Sequence, residues 1–226
     1  MKAKHRVVMV GSTGAVGGHV AMALADSEDV ERLTLLGRRP TEGLPGTCVE
    51  QHTVDVLDPS TYRELVSEHD VAICTLGVGE PSKMSKEDFV RIDKDAVLAF
   101  ATTCREAGVQ HFELLSSVGV GSQASSFYLR TKGQLEDGLR ALGFSRLSLF
   151  HPSMILTPSN RYGVSQAVTL AVWPKLKPLL LGPLRKLRGV RVEDLGRAIA
   201  LNVFTRGQGE EVLEWDDFSA LVTGGA

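Results

Sequence analysis

The sequence predicts an α/β fold, a doubly wound and mostly parallel sheet with helices on both faces. Two observations predict it. Short apolar runs alternate with helix-forming stretches along most of the chain. The first apolar run enters a turn with Gly11, Gly14 and Gly17 in G-x-x-G-x-x-G spacing, and a helix former follows at once. At 226 residues the chain fits one domain with a substantial core, extending over 1–226.

Residues 7–10 form the first strand and 20–25 lie in the first helix. The run 32–36 is a second strand, ending at Gly37-Arg38-Arg39-Pro40. Residues 48–54 alternate weakly, as a third strand would, and 62–67 read as a short helix. The apolar run 71–76 is the fourth strand. A long helix covers 86–107, with Phe89, Ile92, Ala96, Ala99 and Phe100 near helical spacing, and Gly108 stops it. Residues 111–115 are strand five, 128–142 a helix closed by Gly143, and 147–150 strand six. Four prolines break up 157–190, which reads as a small lid or substrate region over the strand ends, continuing to 226. A helix over 192–204, a strand over 211–215 and a helical turn over 216–222 complete the chain.

Bulk properties narrow the function. The composition is that of an ordinary globule, and a net charge of −2 gives no general attraction to nucleic acid. The charge is uneven: 138–192 holds nine Arg or Lys and no acid. That stretch is either a solvated basic face or a surface for an anion or protein partner. Cys48, Cys74 and Cys104 are odd in number and far apart, which points to a reducing cytoplasm. The histidines show no ligand spacing, so no metal is expected. No run approaches a membrane span, and the apolar run after Lys4 is too short for a signal peptide. The oligomeric state is open.

The glycine turn suits a dinucleotide pyrophosphate. Gly11 allows the tight turn, Gly14 the close approach of phosphate, and Gly17 the packing of helix on strand. Ser12, Thr13, Ala15 and Val16 complete this candidate cofactor segment. Arg38 and Arg39 end the second strand where a carboxylate would hold the ribose 2′-OH of NAD. Two arginines there favour NADP(H), the alternative being a surface pair. Asp55 and Val56 follow the third strand, placed to flank an adenine, while Asp58 before Pro59 reads as a helix cap. Leu76 and Gly77 let the backbone pass close to the cofactor.

Ser116 and Ser117 close the fifth strand, and Tyr128 and Lys132 follow on one helix face at i, i+4 spacing. A neighbouring ammonium makes a phenol a better acid, and a serine at a strand end polarises a carbonyl. The set Ser117, Tyr128 and Lys132 is therefore a candidate proton-donor site for carbonyl reduction.

In this order the motifs resemble the short-chain dehydrogenase/reductase superfamily. The segments 89–98, 111–119 and 127–136 resemble more narrowly its atypical branch, the Tat-interacting-protein oxidoreductase family. The resemblance covers about residues 5–204. It implies a Rossmann fold, bound NADPH, Tyr128 and Lys132 as the active pair, and Pro152 in the turn beside the carboxamide. Two departures stand out. His151-Pro152-Ser153 replaces Arg-Pro-Gly. The asparagine that many members carry after strand four is missing from 86–107, where Asp93 is the nearest polar candidate. Two functions compete: an NADP(H)-dependent reductase of a small carbonyl substrate, and a non-catalytic NADP(H)-binding sensor, regulator or assembly factor. A nucleotide-sugar epimerase is disfavoured by the short C-terminal region.

Overall fold

The computed structural model describes residues 4–78, 83–157 and 180–224. One parallel sheet is built from β1 (His5–Val10), β2 (Val30–Gly37), β3 (Val49–Thr53), β4 (Val71–Cys74), β5 (His111–Leu115), β6 (Arg146–Phe150) and β9 (Gly209–Leu213). Its order is β3-β2-β1-β4-β5-β6-β9, so the winding reverses between β1 and β4. A ligand binds such a sheet in the crevice outside the carboxyl ends of those two strands.

Alternation along the strands divides the core. Val7 and Met9 of β1 pack with α1 (Ala15–Ala25), α5 (Val192–Asn202) and Phe218 of α6 (Trp215–Gly224). Val8 and Val10 point the other way, toward α3 (Ala96–Glu106) and α4 (Phe127–Ala141). Strands buried on both faces have no polar side to present, which is why these runs are almost wholly apolar. The result is a Rossmann-like sheet with helices on both faces. His19 serves the packing of α1 on α5, because a Cβ at Gly196 would overlap its side chain.

The structure corrects several sequence expectations. The stretch 62–67 forms no α-helix; it holds a 3₁₀ turn, Arg63–Val66, which follows an earlier one at Pro59–Thr61. Asp58 caps the earlier turn, accepting from the Ser60 amide at 3.0 Å, with Pro59 at the first position. The fourth strand stops at Cys74. The long helix is α2 (Lys86–Val90), a π turn Arg91–Asp95, and α3 in continuous succession. A two-residue pair, β7 (Ile155–Leu156) with β8 (Val190–Arg191), had no readable pattern. The last strand lies two residues earlier than expected, at Gly209–Leu213. Most of the expected lid, 158–179, lies outside the described residues; its end forms a 3₁₀ stretch at Gly182–Leu187. No described helix is long and apolar enough to cross a membrane.

Candidate functional site

The turn after β1 is shaped by its glycines. Gly11 has φ +90°, a conformation side chains rarely adopt, and a Cβ there would lie 2.6 Å from the Leu76 amide nitrogen. The turn is thus pressed against the end of β4. The Gly14 amide donates to the Gly11 carbonyl at 2.9 Å, closing the turn. A Cβ at Gly17 would overlap that same carbonyl, so α1 packs directly on the turn. Beside it lies a cavity of about 350 Å³ lined by Gly11, Ser12, Thr13, Leu36, Gly37, Arg38, Arg39, Val56 and Leu76. Ala15 and Val16 begin α1. The Val16 side chain is buried in the core, and Ala15 is partly buried against it.

Arg38 and Arg39 are exposed at the cavity rim. Their loop is pinned from two sides. Thr41 donates its hydroxyl to Ser12 Oγ at 2.8 Å. Its amide donates to Gln51 Oε1 at 2.7 Å, and Gln51 Nε2 donates back to the Thr41 carbonyl at 3.1 Å. No local pattern announces this clamp, since Thr41 and Gln51 meet only once β2 and β3 are paired. Val56 lines the cavity. Asp55 does not: its carboxylate accepts the Leu57 amide at 3.0 Å, a local turn bond. The Asp55 side chain is exposed beside Val56 and joins this turn through one carboxylate oxygen.

At the end of β4 a buried ion pair lies under Gly77 and Val78. Lys132 Nζ sits 3.0 Å from Asp93 Oδ1, with both side chains almost fully buried. Asp93 Oδ2 accepts the Val78 amide at 2.8 Å. A Cβ at Gly77 would come within 3.2 Å of Asp93 Oδ1 and 3.8 Å of Lys132 Nζ, so the absence of a side chain lets the loop after β4 rest on the pair. Burial pushes the Lys132 ammonium down, but the Asp93 carboxylate outweighs this and holds it above the ordinary lysine range. Tyr128, half-buried one turn earlier on α4, packs its ring against Phe89 at 5.7 Å.

The two serines after β5 divide. Ser116 is buried and donates to Glu136 Oε1 at 2.5 Å. His151 Nε2 lies 2.8 Å from the same oxygen. His151 is thus turned back toward α4, so the residue in place of the family's arginine contributes to a clamp. Ser117 stays half-buried in the loop with its hydroxyl on the neighbouring Val118 carbonyl at 3.4 Å. The Val118 amide donates to the Pro152 carbonyl at 3.0 Å, joining the loops after β5 and β6. Glu136 lies four residues past Lys132 and eight past Tyr128, so helical periodicity could have found it. Gly133 was also missed; a Cβ there would overlap the Gly121–Ser122 backbone, which crosses α4 at this point.

The geometry therefore fits a dinucleotide: a glycine cradle a Cβ would fill, cations at the β2 rim, and a polar cluster at the β4 and β5 ends. Among the described residues no group of His, Cys, Asp and Glu could hold a metal ion. Comparison with known proteins agrees. A family model described as NAD(P)H-binding matches residues 11–147. Protein HTATIP2 of Rattus norvegicus is 34% identical over 152 residues, covering 66% of this chain and 62% of that protein. The aligned stretch thus spans less than two thirds of the rat protein. "Protein fmp52, mitochondrial" of Emericella nidulans is 30% identical, covering 72% of each chain. "Protein FMP52, mitochondrial" of Debaryomyces hansenii is 27% identical over 90% of this chain and 91% of that one. Among solved structures, MoeE5 in complex with UDP-glucuronic acid and NAD superposes with a TM-score of 0.70 at 19% identity, covering 92% of this chain and 75% of that one. A UDP-galactose 4-epimerase gives 0.69 at 17%, covering 92% and 76%. At such identity these two establish the fold alone. With a family model matched over more than half its length and a curated relative at 30% identity, the chain belongs to the NAD(P)H-binding family, in the atypical short-chain dehydrogenase/reductase branch around the Tat-interacting protein.

Proposed function

We propose that the protein is an NADP(H)-dependent oxidoreductase that reduces a small carbonyl compound. The observation that carries this reading is Lys132, held as a buried ammonium under the β4 end and one helical turn from Tyr128. Reduced nicotinamide, when bound, supplies hydride to the carbonyl carbon. Lys132 holds the adjoining ribose. Tyr128 delivers its phenolic proton to the carbonyl oxygen, and Ser117 orients that oxygen. The Pro152 turn bears on the carboxamide. Arg38, with Arg39 beside it, receives the 2′-phosphate, which favours NADP(H) over NAD(H). The chain acts as one cofactor-binding unit, with its small substrate region after residue 156.

The test is NADPH oxidation against a panel of aldehydes, ketones and quinones. Tyr128→Phe removes one hydroxyl and little volume. Turnover should fall about 10²–10⁴-fold while NADPH affinity changes little. Wild-type turnover in Tyr128→Phe would sink the site assignment. The lack of the usual asparagine on 86–107 favours a second reading, a non-catalytic NADP(H)-binding regulator. Tight NADPH binding with no turnover on any panel member would select it. The three free cysteines support a reducing compartment. The cytoplasm is the proposed location, against the mitochondrion that the names of the fungal relatives carry. Fractionation with an antibody to the native protein decides between them.

A further inference from the structure

We propose that Asp93 is the positioning residue of the site: it aims Lys132 at the β4 end and keeps it charged, so that a cation meets the cofactor ribose across the neutral and mildly alkaline range. This rests on the functional reading above. The geometry is specific. The π turn Arg91–Asp95 widens the helix where Asp93 sits, and Asp93 is 1% exposed. Single π turns inside helices recur at functional sites because they redirect one side chain. The other charged residues of this turn are engaged elsewhere. Arg91 pairs with Asp88 at 3.2 Å and Lys94 with Asp95 at 3.3 Å. Asp93 is the acid left pointing inward.

Both of its oxygens are used at the site. One meets Lys132 and the other the Val78 amide, so a single carboxylate ties α4 to the loop after β4. The charged and titratable surroundings are few. Cys74 of β4 faces the pair, but burial pushes its thiol up to about 12 and leaves it neutral. Tyr128 lies on the same helix as Lys132. Lys86 and Arg130 lie over the Phe127 ring at the start of α4. Among these groups Asp93 is the anion beside Lys132. A lysine this deeply buried sheds its proton readily unless a carboxylate compensates the lost water.

The experiment titrates NADPH by fluorescence at several pH values from about 7 to 9.5, where a free lysine stays charged. It uses wild type, Asp93→Asn, Lys132→Met and the double variant, with NADH as a second probe. Wild-type affinity should be flat to within about twofold. Asp93→Asn keeps an acceptor for the Val78 amide but removes the charge. Its affinity should be about tenfold weaker near neutrality and fall further with pH, approaching tenfold per unit as Lys132 deprotonates. Lys132→Met should bind weakly with a flat profile. Adding Asp93→Asn to it should change affinity by less than about twofold. The double variant also removes the unpaired buried charge, so it remains informative if Asp93→Asn folds poorly. An Asp93→Asn protein with wild-type affinity and a flat profile would overturn the proposal. So would an equal loss in the Lys132→Met background, which would mark Asp93 as a general packing residue. A wild type that binds neither NADPH nor NADH is a different failure: it overturns the functional reading, and this assignment with it.

Discussion

Two buried polar clusters occupy opposite ends of the same sheet, and they are built differently. At the amino ends of β5, β6 and β9, Arg146 spends its guanidinium on protein groups. It meets Glu211 Oε1 at 2.8 Å, the Thr205 carbonyl at 2.9 Å and Asn202 Oδ1 at 2.9 Å. Asn202 in turn donates to Glu113 at 2.9 Å, and His111 meets Ser148 at 2.8 Å. Apart from Glu113 Oε2, this cluster spends its buried polar groups on one another, and it joins α5 to three strands. At the carboxyl ends, Lys132 has its carboxylate but lies under glycine backbone, and Arg38 and Arg39 stand exposed at a cavity. That end is open. A closed network stabilises the fold, whereas an open one holds charge ready for a ligand.

The largest effect is expected from Arg146→Ala. Removing one partner from a buried charged network leaves the others uncompensated. Unfolding free energy should drop by about 3–5 kcal/mol, measured by urea denaturation. NADPH affinity of the folded fraction should stay within about twofold of wild type. A large loss of affinity with little loss of stability would mean that the amino end is coupled to the site.

The open end should answer the other way. Arg38→Ala removes an exposed side chain, so stability should barely move. Its bond to a 2′-phosphate would be charge-assisted and worth roughly 1.5–3 kcal/mol. NADPH affinity should therefore fall about ten- to a hundredfold while NADH affinity is unchanged. Equal wild-type affinities for NADPH and NADH, by fluorescence titration, would remove Arg38 from the specificity role.

Glu136 lies between these extremes. It is buried, as in a structural network, yet it braces the loops that carry Ser117 and Pro152. Glu136→Gln should weaken NADPH by about tenfold, comparable to its effect of about 1–2 kcal/mol on unfolding. An effect on stability alone would assign Glu136 to the closed class.

The same contrast explains what could be read in the chain. The strands and the glycine turn were legible because their causes are local: apolar runs, and Gly11 and Gly17 where a Cβ cannot fit. Tyr128 and Lys132 were legible through helix spacing. Contacts between distant elements were not. Asp93 precedes Lys132 by a whole strand and loop, and nothing local announces the π turn that aims it. Arg146, Asn202 and Glu211 come together only when β6, β9 and α5 are in place. Asp55 shows a local bond that the strand pattern did not announce, its carboxylate accepting the Leu57 amide two residues on.

The smallest effect tests the closed end through pH. Burial pushes the Glu113 carboxyl up from 4.5 to about 8, against the Asn202 hydrogen bond, and its Oε2 has no partner among the described groups. A carboxyl raised in the folded state contributes most below its unfolded value of 4.5, and loses that contribution as pH climbs through about 8. His111 runs oppositely: burial, then Arg146, lowers it from 6.5 to about 3, so its contribution is full above 6.5 and fades as pH falls toward 3. Between 4.5 and 6.5 the two slopes oppose one another, and above 6.5 only Glu113 still titrates. Wild-type stability should therefore decline from about pH 6.5 to 8, with a slope of at most about 1.4 kcal/mol per unit. Across that window the total is about 1–2 kcal/mol. Glu113→Gln keeps an acceptor for Asn202 and cannot ionise, so its urea midpoint should be flat over the same window. A decline that survives in Glu113→Gln would place the titrating group elsewhere, and the amino-end cluster would then carry its charges without a pH signature.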